Sequence, residues 1–149
     1  MPAHIYLRVG DYPAVVDRNV NAIKTDKDYI NIYGMLGSYS AHYMGHNLDM
    51  LGRAYGITGQ YQQAKKTADE VSALYAPKHK EMPELEFRMD APTIFVLLRF
   101  HRWNEILQLP KPDPQFATTT ALWKSARGIA YAKLGNIEAE KKNRRIFRG

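Results

Sequence analysis

Residues 48–77 read LDMLGRAYGITGQYQQAKKTADEVSALYAP. Leu48, Leu51 and Tyr55 fall three and four places apart, with Tyr43 five places upstream, and together they make one apolar stripe at a helical period. Gly59 ends that helix, Gln60 and Tyr61 open another, and Pro77 closes the second after Tyr75 and Ala76. Two antiparallel helices joined by a very short turn are predicted, the first running from about Tyr39 to residue 57. Gly52 and Ala64 stand where the axes come closest and neither can carry bulk. Leu51, Tyr55 and Val71 fill the space beyond.

The same punctuation recurs outward from this hairpin. Gly10-Asp11-Tyr12 separates helices at 1–9 and 13–25, with Pro13 in the first turn of the second, where its missing N–H costs little. His101-Arg102-Trp103 separates 91–100 from a short helix ending before Pro110, and Gly135-Asn136-Ile137 separates 116–134 from 138–145. The turns at 10, 59, 101 and 135 are spaced by 49, 42 and 34 residues. Four helix–turn–helix units, about 1–26, 39–76, 90–109 and 116–145, mark a repeat array forming a single domain, 1–149. Two connections are irregular. Residues 29–38 hold two glycines among aromatics and are expected to form a loop with a turn of helix. The alternate prolines of 110–114 remove donors and force extended backbone.

The best unit resembles the tetratricopeptide repeat residue by residue: Leu48, Leu51-Gly52 and Tyr55, the turn at Gly59 and Tyr61, then Ala64 and Ala68, with Pro77 one place late. The first unit supplies Tyr6, Gly10, Tyr12 and Ala22, and the third Trp103 and Ile106. The fourth supplies Gly128, Tyr131, Gly135 and Ile137, with Trp123 just outside its slot and Glu140 where Ala is usual. Residues 1–12, 46–48, 98–107 and 123–128 further resemble an internal segment of a group of longer bacterial tetratricopeptide-repeat proteins. The resemblance implies an all-α, right-handed superhelical array (a solenoid) and a protein-interaction role rather than a reaction. It also implies that the chain is the C-terminal part of such a protein or a short relative.

Composition narrows the function classes. The 149 residues are 45% hydrophobic and 24% charged, ordinary values that leave out wholesale disorder. With no Cys, disulfide scaffolds, thiolate-held zinc and thiol catalysis fall away, and a reducing cytoplasm is the expected location. No apolar run approaches the roughly 18 residues of a membrane helix, and no leader is expected at 1–8. The net charge of +6 is a tail: residues 1–140 hold sixteen cations against fifteen acids, and Lys141, Lys142, Arg144, Arg145 and Arg148 supply the rest. Phe147 is the only aromatic in that basic tail, 141–149, so it reads as a solubilising helix end rather than a nucleic-acid arm.

Chemistry has one candidate. His42, His46 and Asp49 share a helix face and could make an imidazole–imidazole–carboxylate metal site for a metal-dependent enzyme. The Glu of a zincin helix is replaced by Tyr43, and packing explains the trio as well, so no catalytic residue, metal or cofactor is expected. The resemblance directs attention instead to a concave groove lined by first helices. Transferring its register selects His4, Leu7 and Arg8, then His46, Asp49, Arg53 and Ile57. It continues with Arg88, Phe95, Leu98 and Arg99, then Leu122, Ser125, Ile129 and Lys133. Such a mixed, cation-rich groove suits an acidic peptide or partner protein of unknown identity. Asp49 and Arg53 stand where chaperone-binding members carry a Lys/Asn clamp, so that clamp is absent. With no partner before the first helix, self-association through the N-terminal edge, as a homodimer, is also expected.

Overall fold

The computed structural model describes residues 2–34, 43–76 and 86–145, the side chains of 86–90, 144 and 145 excepted. These residues are all-helical, with eight helices and no strand. They fall into two compact units, Met1–Pro77 and Lys78–Gly149. The first holds α1 (Pro2–Val9), α2 (Tyr12–Tyr33), α3 (Gly45–Ile57) and α4 (Tyr61–Tyr75). The second holds α5 (Glu86–Arg99), α6 (Trp103–Gln108), α7 (Ala117–Lys133) and α8 (Ile137–Arg145). In the first unit each helix packs on the next in sequence. In the second, α5 packs on α6 and α7, α6 on α7, and α7 on α8. No helix among the described residues is long and apolar enough to cross a membrane.

All four turns are built alike. The residue at the turn donates its N–H three residues back: Gly10 to Leu7, Gly59 to Gly56, His101 to Leu98 and Gly135 to Ala132, at 3.2–3.4 Å. The next N–H reaches five residues back, from Asp11, Gln60, Arg102 and Asn136 to Tyr6, Tyr55, Leu97 and Tyr131, at 2.9–3.0 Å. This pairing satisfies carbonyls a helix end would otherwise leave open, and it needs a left-handed residue. Gly10, Gly59 and Gly135 supply φ of 79°, 77° and 74°, and His101 adopts 55°. A side chain there costs about 1–2 kcal/mol. The His101 ring stacks on Trp103 with centroids 5.1 Å apart and offsets part of it. Five residues past each turn the second helix meets the first: Val15, Ala64 and Ile106 are fully buried. Glu140, at the same place in the last hairpin, is only half-buried.

Local features depart from the expectation at some points and follow it at others. The second helix does not stop near residue 25 but runs to Tyr33, where Gly34 caps it with φ 81° and an N–H bond to the Ile30 carbonyl. Nothing between 14 and 33 breaks a helix, and Tyr29 packs on Tyr33 one turn later. Residues 35–38 of the expected loop, and 39–42 of the expected first helix of the second hairpin, lie outside the described residues. Of Gly45 and Gly52 in α3, Gly45 has the less room for a side chain. A Cβ on Gly45 would sit 2.9 Å from Cζ of Tyr75, the largest fully buried side chain among the described residues, whereas one on Gly52 would make ordinary contact with Thr67 at 3.5 Å. In the second unit residues 110–113 take no regular structure, as the prolines require, and Pro92 lies inside α5.

Candidate binding face

The first helices of the second unit each carry one buried and one open stripe. On α5 the buried stripe is Ala91, Ile94 and Leu97; on α7 it is Thr119, Ala126 and Ala130. The residues selected by the transferred register all fall elsewhere. Of the fourteen whose side chains are described, none is buried, and His4, Arg8, Arg53, Ile57, Phe95, Arg99, Ser125, Ile129 and Lys133 are exposed. Arg88 lies in α5, but its side chain is outside the described set.

In the first unit the structure brings two of these residues together across helices. The rings of His4 (α1) and His46 (α3) stack with centroids 4.9 Å apart and planes 18° from parallel. Stacked imidazoles pack face on face instead of converging on a shared point, so this pair does not form a chelate. One turn beyond His46, Asp49 accepts a hydrogen bond from Nε of Arg53 at 3.2 Å, an i,i+4 ion pair on the same helix. Arg8 lies exposed one turn beyond His4. The face thus combines an aromatic-like imidazole pair, one neutralised cation and one exposed cation.

Behind the face lies a pair that the sequence did not single out. Asn47, next to His46, donates from Nδ2 to Oδ2 of Asp26 in α2 at 2.9 Å, and both residues are buried. The Asn47 Oδ1 is buried without a partner. A buried polar contact is costly if misaligned, so it favours one register of α3 against α2 and with it the position of His46. One signal was available: Val15, Asn19, Ile23 and Asp26 form the buried stripe of α2, with two polar residues among the apolar ones. Asn19 caps its own need by donating to the Val15 carbonyl at 2.8 Å. At the turn end of this unit an open trough of about 520 Å³ lies over Tyr12, Val16, Val20 and Tyr55, rimmed by Asp17, Gln60 and Gln63.

In the second unit Arg99 and Lys133 are exposed one turn after Phe95 and Ile129, which are themselves 50% and 45% exposed. His42 falls outside the described residues, and among those described no three His, Asp or Glu residues gather as a metal would require. Compared with known protein families, with curated proteins and with solved structures, the chain matches none.

Proposed function

We propose that the chain is a tetratricopeptide-like repeat protein, a right-handed superhelical array of four hairpins that binds a peptide or partner protein on its first-helix faces and has no catalysis of its own. The supporting observation is the His4–His46 stack. In the transferred register both are groove residues, of successive repeats, and the rings meet at 4.9 Å on a face that also carries Arg8, Asp49 and Arg53. Four turns of one hydrogen-bond pattern support the repeat assignment. A cytoplasmic location and self-association through α1 belong to the same reading, and neither a membrane nor a nucleic acid is assigned as partner.

A library of immobilised short peptides tests it, probed with the intact chain and with Arg8→Glu and Arg53→Glu. Peptides held by the wild type and released by both variants, whose helix content is unchanged, are the expected result. An identical binding set for all three proteins, or no peptide bound by any, overturns the reading.

A further inference from the structure

The charges of the first unit can be followed one by one. Every Asp, Glu, Lys and Arg of residues 1–77 lies among the described residues, and residues 35–42 contain none. Four acids each hold a cation: Asp17 with Arg18 at 3.9 Å, Glu70 with Lys27 at 3.3 Å, Asp49 with Arg53 at 3.2 Å and Asp69 with Lys65 at 2.6 Å. Asp11 caps α2 through the Ala14 N–H, and Asp26 is buried against Asn47. Asp28 stands one turn after Lys24 on the same stripe of α2. Of the described cations of this unit, Arg8 and Lys66 are left over, and Arg8 is the one beside the imidazole stack. Among the described residues no carboxylate pairs with its guanidinium.

Building on the binding role above, we propose that His4 and Arg8 form a two-point site for a polypeptide segment carrying an aromatic side chain and, two residues away, a carboxylate. His4 is exposed, and His46 takes one face of its ring at 4.9 Å, which leaves the opposite face to solvent. Arg8 follows four residues later on the same stripe of α1, about 6 Å along the axis. An aromatic ring laid on His4 extends the stack, and a carboxylate beside it meets the forked donors of Arg8. In an extended chain, side chains two residues apart share one side at about 6.5–7 Å, which matches that spacing. The ring contact is indifferent to the sign of a neighbouring charge, so Arg8 selects the acid and rejects a basic segment. At an exposed place each contact is worth about tenfold or less in affinity, so recognition depends on both.

NMR titrations of the intact chain test this with three end-capped peptides of equal length. Between flanking serines they carry Tyr-Ser-Glu, Tyr-Ser-Gln or Ser-Ser-Glu. The Tyr/Glu peptide should bind tightest, about three- to tenfold over either of the others, with amide shifts centred on His4 and Arg8. Raised salt should narrow its advantage over the Tyr/Gln peptide. Arg8→Gln should bring the Tyr/Glu peptide down to the affinity of the Tyr/Gln peptide and leave the latter unchanged. His4→Ser should remove the preference for Tyr over Ser and His4→Phe should restore it, at unchanged helix content. Equal binding of the Tyr/Glu and Tyr/Gln peptides, a Glu preference that survives Arg8→Gln, or no response at His4 and Arg8 overturns the proposal. If library peptides are still released by Arg8→Glu and Arg53→Glu while the Tyr/Glu peptide fails to bind, only this site is refuted. If neither set responds to its variants, the general binding role falls with it.

Discussion

Which glycines matter was only half readable from residue spacing. The repeat register pointed to Gly52, and overpacking there with a large residue remains costly, because Thr67 lies against the site. A single methyl is another matter. Gly52→Ala adds a Cβ at ordinary contact distance inside a helix, where Ala is favoured by about 1 kcal/mol, so stability should hold or rise. Gly45→Ala must push the buried Tyr75 ring aside and should destabilise by about 1–3 kcal/mol. Urea titrations of the two variants check this, and equal midpoints would remove Gly45 as the close contact. Tyr75 is 30 residues away and only the fold brings its ring over Gly45, which is why local pattern could not find it. The turn residues were readable for the opposite reason: Gly10, Gly59 and Gly135 answer a purely local demand for positive φ.

Helix ends behave in the same way. Some caps join close neighbours in sequence: the Asp11 Oδ1 accepts from the Ala14 N–H, and the Asn136 Oδ1 from the Ala139 N–H. The end of α6 depends on residues far along the chain. Arg127 of α7 donates from Nη1 to the Leu107 carbonyl at 2.6 Å and from Nη2 to the Tyr131 hydroxyl at 2.7 Å. Its guanidinium lies over the Trp123 ring at 4.7 Å, and Trp123 Nε1 reaches the Leu109 carbonyl at 3.4 Å. Trp123 is one place off the repeat's slot, and this is where its ring is used instead. A helix of six residues has few internal hydrogen bonds, so these tertiary donors hold its C-terminal turn. Arg127→Lys keeps the charge but loses the planar fork and should destabilise by about 1–3 kcal/mol, close to Arg127→Met. Denaturant midpoints decide it: wild-type stability in the lysine variant would mean that charge alone is at work.

Repetition also exposes what a single hairpin hides. The turns at Gly10 and Gly59 define a 49-residue offset that sets Pro2 against Leu51 and Ile5 against Ala54. Leu51 and Ala54 are buried in α3, which has α2 on one side and α4 on the other. On α1, whose broad packing partner is α2, Pro2 is exposed and Ile5 and Val9 are 65% and 71% exposed. Among the described residues α3 packs broadly on two helices and α1 on one. Among the described side chains of α8, Glu138, Lys141 and Lys142 are exposed beside Ile137, a charged face poorly suited to cover an apolar stripe. A second copy can instead cover the stripe by two-fold pairing of α1 with α1, which sets apolar on apolar. Eight residues make a helix only about 12 Å long, so the contact falls below the roughly 1,200 Å² of a stable interface, and the dimer should be weak. Sedimentation equilibrium should show the average mass of the wild type rising with concentration through the high-micromolar range, and Ile5→Asp/Val9→Asp staying monomeric with unchanged helix content. Ile129→Asp, altering an exposed apolar residue of the other unit, should dimerise like the wild type. A wild type that is monomeric throughout removes α1 pairing, and a dimer that survives Ile5→Asp/Val9→Asp places the interface elsewhere.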